Sequence, residues 1–243
     1  MKKTILNLNN IAFKISQVNK PILQDINYRV QQGDFIILLG SNGSGKSSLL
    51  KLIDRRYQPT FGQIKLNQID LKKYSVKEFA KQVITLTQNP MDSLFGSLTV
   101  LENCLLANER GLKHNPVFFE NYLADFNVNL KTKFDTKTAA LSGGEQQALA
   151  LALSVLHPPQ ILLLDEHTSA LDPKTADNIL NLTAKLIQKH QITCILSTHD
   201  LETALNFGNK IVALSNGKIL RCFDEEQKKK LTKRDLLETC YFN

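Results

Sequence analysis

The chain has 243 residues, 42% of them hydrophobic; it can bury a full core, and its length allows one large domain or two small ones. No apolar run approaches the ~18 residues of a membrane span, and the start, from Met1 to Asn9, lacks the unbroken apolar stretch and cleavage site of a signal peptide. The net charge of +7 comes from scattered lysines, and Cys104, Cys194, Cys222 and Cys240 form no C-x-x-C pair, so no nucleic-acid partner, disulfide frame or zinc site is expected.

In chain order, Ile5, Leu6 and Leu8, then Ile11, Phe13 and Ile15, then Ile26, Tyr28 and Val30 follow the period of two of β-strands, and Ile64 and Leu66 repeat it. These segments predict an antiparallel sheet. The apolar run Phe35 to Leu39 predicts a buried parallel strand, followed by a helix over Lys46 to Ile53. Val83 to Thr87 is a further strand. From about Pro90 to Pro159 the pattern turns helical, with helices expected at Leu98 to Ala107, Val117 to Phe126 and Gly143 to Leu156. The last third alternates strands at Ile161 to Leu164, Ile192 to Leu196 and Lys210 to Leu214 with helices. One helix starts at Asp172-Pro173, with the aspartate as cap, and a last one spans Thr232 to Cys240. The dense basic cluster Lys228, Lys229, Lys230, Lys233 and Arg234 is expected on a solvated helix face. The whole pattern implies an α/β core with a helical insertion.

Three stretches carry chemistry. Gly40 to Ser47 reads G-S-N-G-S-G-K-S between the predicted strand and helix, the context that a phosphate-binding loop requires. Gly40, Gly43 and Gly45 let the backbone curl around an anion, joined by Ser41, Asn42 and Ser44. Lys46 reaches the terminal phosphates, the Ser47 hydroxyl binds Mg2+, and Ser48 follows in the first helical turn. Asp165 and Glu166 end the run Ile161 to Leu164, where the first carboxylate suits Mg2+ and the second suits polarising water. Leu141 to Glu145 reads L-S-G-G-E. Ser142 and Glu145 make a capping box, and Gly143 and Gly144 leave bare backbone N–H groups at a helix N-terminus, a second anion surface.

At this point the sequence resembles the ATP-binding subunits of ABC transporters. L-S-G-G-E matches their signature motif, Gln88 the Q-loop, Ser169 to Asp172 the D-loop, and His199 the switch histidine. The resemblance implies one P-loop NTPase domain over residues 1–243. Its RecA-like core and antiparallel β-subdomain would lie at 1–89 and 160–243, with an inserted helical signature subdomain at 90–159. It further implies that two copies sandwich ATP between Gly40–Ser47 of one and Ser142–Gly144 of the other, with Gln88, Ser47 and Asp165 around Mg2+. Glu166 would orient the attacking water, His199 would contact the γ-phosphate, and Asp172 would communicate across the dimer. Permease subunits in the membrane, and through them a solute-binding protein, are the implied partners, with the chain peripheral on the cytoplasmic face of the inner membrane. Asn89 to Leu98, with Met91, Leu94 and Phe95, is the expected permease-facing segment.

A narrower likeness, carried by Glu166 to Ala176 with His167 where most of these ATPases have proline, points to importers of tryptophan- and tyrosine-type amino acids. An exporter or lipid-handling ATPase, a non-transport ATPase of the same family and a regulator without turnover are the alternatives. The chain departs from the family in two places: the helix after the signature has Ala148 and Leu153 where arginines are usual, and the base contact changes. The aromatic that stacks on adenine is here Ile15, with Phe13 on the same strand face as a possible substitute.

Overall fold

The computed structural model describes residues 3–15, 20–108 and 116–241. In chain order the elements are β1 (Thr4–Phe13), β2 (Leu23–Gln31), β3 (Phe35–Leu39), α1 (Lys46–Ile53), β4 (Phe61–Leu66), β5 (Ile69–Asp70), α2 (Val76–Ala80), β6 (Val83–Leu86), α3 (Val100–Ala107), α4 (Pro116–Ala124), α5 (Gly143–Val155), β7 (Ile161–Asp165), α6 (Pro173–His190), β8 (Thr193–Thr198), α7 (Leu201–Asn206), β9 (Lys210–Ser215), β10 (Lys218–Phe223), α8 (Glu225–Lys228) and α9 (Lys233–Tyr241). They form two compact units: residues 1–85, 160–165 and 191–243, and residues 86–159 and 166–190. The helix α6, which the sequence reading kept with the core, thus groups with the signature helix α5.

The first unit holds two sheets. One is antiparallel, in the order β2-β1-β4-β5. The other has six strands in the order β10-β9-β3-β8-β7-β6, with β3, β7, β8 and β9 running parallel and β10 antiparallel at the edge. Every residue of β3 is buried, as its unbroken apolar run requires of a strand covered on both faces. Asp34 precedes it, fully buried, and pairs with Lys210 at 2.7 Å, which fastens the start of β3 to β9. Leu6, Ile11, Ile26, Ile36, Leu38, Leu50, Ile53 and Leu214 belong to one apolar cluster beside these sheets.

Two hairpins show what the sequence reading left out. β9 and β10 join through Asn216 and Gly217, both at positive φ (+47° and +76°), the geometry for which an Asn-Gly pair is selected. β4 and β5 join through Asn67 and Gln68 (+50° and +67°), a turn with no glycine to announce it.

In the second unit α5 is the buried centre. Ala148, Leu149, Ala150, Leu151 and Ala152 are all shielded, so a helix apolar on every side lies inside. α6 packs against it, and its single apolar stripe, Ile179, Leu180, Leu186 and Ile187, is buried. The expected helix at Leu98 starts instead at Val100, because Thr99 and Glu102 form a capping box there.

The C-terminal cations are paired. Lys229 meets Glu225 and Glu226, Lys233 meets Glu202, and Arg234 meets Glu238. Lys228 corrects the expectation of a solvated face. It is buried and donates to the Phe207 and Gly208 carbonyls, and burial pushes its ammonium down to about 8.

Candidate functional site

In the first unit the parallel strands bring the candidate residues to one edge. β3, β8 and β7 are neighbours, and their register sets Leu39 beside Thr198 and Asp165 beside Ser197. The segments that follow these strands therefore emerge together at the carboxyl end of the sheet, where open α/β sheets bind ligands. Gly40 to Ser47 leaves from β3, His199 from β8, and Asp165 closes β7.

The loop itself is curled by its glycines and held by its lysine. Gly43 and Gly45 lie at φ +78° and +106°, and a β-carbon on Gly40 would stand 2.3 Å from the Leu214 carbonyl oxygen. A side chain at Gly40 or Gly45 would thus collide with the chain packed behind the loop. The buried Lys46 ammonium donates to the Gly40 and Ser41 carbonyls at 2.9 and 3.0 Å. The Ser44 hydroxyl is buried and has no hydrogen-bond partner among the described residues. An orphaned hydroxyl in a loop of bare backbone fits a phosphate oxygen. Asn42 is exposed, and Ser47 and Ser48 are half-buried in the first turn of α1.

The Ser47 hydroxyl donates to Asp165 Oδ1 at 3.0 Å, and Ser197 donates to the same oxygen at 2.7 Å. A hydroxyl and a carboxylate so placed are the hard oxygen donors that Mg2+ takes. His199 is exposed, at the end of a turn in which Asp200 caps α7 through the Glu202 and Thr203 amides. Ile15 is 40% exposed just past β1. Phe13 does not replace it as a base platform: it is 7% exposed and stacks on Tyr57, ring centroids 5.1 Å apart.

The second unit carries the signature residues. Ser142 caps α5 with the expected box: its hydroxyl accepts from the Glu145 amide at 3.4 Å, and Glu145 Oε2 accepts from the Ser142 amide at 3.0 Å. Lys133 adds a 2.7 Å pair to Glu145, a contact that no local pattern announced. The glycines differ. A β-carbon on Gly143 would meet Leu171 at an ordinary 3.7 Å, but one on Gly144 would stand 2.7 Å from the Thr175 methyl. Gly144 is thus demanded by the close approach of α6 as well as by any ligand. A groove of about 510 Å³ runs beside it, lined in part by Asn127, Ser142, Gly144, Asn178 and Lys185.

Glu166 stands at φ +48°, a left-handed conformation that costs a residue with a β-carbon about 1–3 kcal/mol. Its carbonyl accepts from the Ser169 amide and hydroxyl, at 3.0 and 2.8 Å. Asp172 is the cap the sequence predicts, accepting from the Thr175 amide at 3.1 Å; the Thr175 hydroxyl first, and then that amide, hold its carboxyl below the usual range. Gln88 is exposed two residues beyond β6. In the segment expected to face a permease, Phe95 is 61% exposed and Met91 half-buried, but Leu94 is buried and is corrected to a core residue. Asn103, which the sequence reading missed, fixes that loop. Its amide donates to the Phe95 and Thr99 carbonyls and to Thr138, and its carbonyl accepts from the Phe95 amide.

The ABC transporter family profile matches residues 23–169, which run from β2 through the phosphate loop and signature to the turn after β7. The chain belongs to the ABC transporter family. A tyrosine transport ATP-binding protein of Clostridioides difficile is 34% identical over 225 residues, 89% of this chain and 90% of that protein. The methionine import ATP-binding protein MetN of Lactobacillus johnsonii is 32% identical over 229 residues, and there the match spans 63% of the relative's length. Among solved structures, a dimeric ATP-binding cassette in a post-hydrolysis state with ADP and Pi superimposes with a TM-score of 0.76 at 28% identity, covering 91% of this chain and 99% of that one. The cbiO1 protein of Clostridium perfringens, part of the ABC transporter complex cbiONQ, shares the fold with a TM-score of 0.79 at 24% identity, covering 93% and 90%. This ABC protein therefore has the P-loop ATPase fold that its motifs imply and is an ATP-binding, ATP-hydrolysing transporter subunit. Among its described residues no helix is long and apolar enough to cross a membrane.

Proposed function

We propose that this subunit is the motor of an importer for an amino acid of the tyrosine or tryptophan type, working as an ATP-sandwich dimer on the cytoplasmic face of the membrane. The cargo reading rests on likeness to the tyrosine transport protein. The catalytic reading rests on the Ser47–Asp165 contact at the strand ends. Residues 1–243 act as one ATPase domain, with 90–159 as its helical signature subdomain.

Each residue has a chemical task in this reading. The glycine-loop amides and Lys46 bind the phosphates, and Ser142, Gly143 and Gly144 of a second copy close over them. Ser47, Asp165 and Gln88 are the residues that would hold Mg2+, which when bound would offset charge on the phosphate oxygens. Glu166 accepts a proton from the attacking water, His199 donates to the γ-phosphate, and Asp172 meets the partner copy. Phe95, presented on the loop that Asn103 fixes, docks the permease together with Met91.

Purification of the subunit from detergent-solubilised native membranes, with mass spectrometry of what accompanies it, tests the proposal. A permease and a solute-binding protein are expected. A permease alone favours export, and ribosomal or DNA-bound partners without a membrane protein overturn the transport role.

A further inference from the structure

We propose that His167 is a positioning residue: its buried imidazole, tethered to Thr183 of α6, holds the turn on which the Glu166 carboxylate stands. The inference rests on the reading of Glu166 as the group that activates water.

Glu166 lies in left-handed backbone, which its own side chain disfavours, so neighbouring contacts must hold it there. On the far side of the turn, Ser169 does so through its two bonds to the Glu166 carbonyl. On the near side stands His167, 2% exposed, with Nε2 3.5 Å from Thr183 Oγ1. The Thr183 hydroxyl spends its proton on the Ile179 carbonyl at 2.7 Å, so it offers His167 a lone pair. The ring then carries its proton on Nε2 and leaves Nδ1 bare. Nδ1 has no hydrogen-bond partner among the described residues.

A leucine would fill this place without an unmet nitrogen. What the imidazole supplies instead is direction. It ties the residue after Glu166 to the middle of the longest helix, where Thr183 is itself fully buried. Burial also keeps the ring neutral near pH 7, pushing it down to about 4. Held from His167 and from Ser169, the turn leaves the half-buried Glu166 carboxylate little freedom to swing.

Steady-state ATPase kinetics of the full-length chain, with thermal denaturation of each variant, test this. E166Q is measured first; if it keeps wild-type turnover, the reading of Glu166 fails and this inference fails with it. With E166Q inactive, H167L is expected to lower kcat about tenfold or more while KM for ATP stays within about twofold. H167Q, which keeps a donor at the ε position, is expected to restore kcat to within about threefold of wild type. T183V keeps the volume, removes the acceptor and is expected to lower kcat as H167L does. The inference is overturned, with the role of Glu166 intact, if H167L keeps kcat within about twofold or if folded H167Q is as slow as folded H167L. Should H167L not fold, T183V decides, and unchanged turnover in it overturns the tether.

Discussion

Ile15 illustrates how much one side chain can set. It stands exposed where the family resemblance implies an aromatic ring, and the nearby Phe13 has its face taken by Tyr57. Base–aromatic stacking contributes about 1–3 kcal/mol, so Ile15→Tyr is expected to tighten ATP binding by roughly tenfold, with a smaller gain for an analogue lacking the base. Isothermal titration of both ligands checks this, and equal affinities before and after the change would refute it. At this scale the sequence was legible wherever chemistry dictates the residue. Lys46, Ser47 and Asp165 lie together as their motifs imply. It was silent where a residue serves a neighbour distant in the chain: nothing local announces that Asn103 fixes the Phe95 loop or that Lys133 reaches Glu145.

Helix packing explains part of the signature that ligand chemistry alone would claim. Gly144 faces the Thr175 methyl, so Gly144→Ala is expected to destabilise the protein by about 1–3 kcal/mol, and Thr175→Ala in the same chain to recover much of it. Thermal denaturation of the two single variants and the double one measures that coupling; additive losses would show that the helices do not meet there. The cap of α5 predicts a pH response. Burial alone would raise the Glu145 carboxyl, but the Lys133 ammonium and the Ser142 amide and hydroxyl outweigh it and hold the carboxyl below its ordinary value. The unfolded chain thus takes up this proton first, near pH ~4.3. The cap's stabilisation is whole above that pH and disappears as pH falls through the lower folded value. Glu145→Gln should flatten this part of the acid denaturation profile, and a profile unchanged by the substitution would refute the assignment. Helices with strong local signals, such as α5 and α6, were legible in the sequence. β5 was not, because its turn uses Asn67 and Gln68 at positive φ, and short α7 and α8 depend on caps at Asp200 and Asp224 more than on periodicity.

For the whole molecule the expected response to nucleotide is association. The Glu166→Gln chain with ATP and Mg2+ should elute at twice its monomer mass in light-scattering chromatography. Ser142→Arg in the same background should bind ATP yet remain single, because the arginine blocks the second anion surface. A dimer insensitive to Ser142→Arg would place the contact elsewhere. The fold class was legible because strand and helix periods alternate around recognisable loops. The division into units was harder, since α6 follows β7 directly in sequence but packs with α5.

The β9–β10 hairpin has a bearing on how the protein is made. The Gly217 amide donates to the Ser44 carbonyl at 3.0 Å, the Gly217 carbonyl accepts from the Gln24 amide at 2.8 Å, and a β-carbon on Gly217 would stand 2.2 Å from the Ile22 carbonyl oxygen. The phosphate loop is braced by a turn that the ribosome synthesises well after it, with a delay of roughly ten seconds or more at ordinary elongation rates. A nascent chain arrested before Asn216 already contains every residue of the loop but lacks the brace that shapes it. Competence to hold nucleotide is therefore expected only once this turn has been made, and an arrested chain lacking it should bind ATP more weakly than one that carries it.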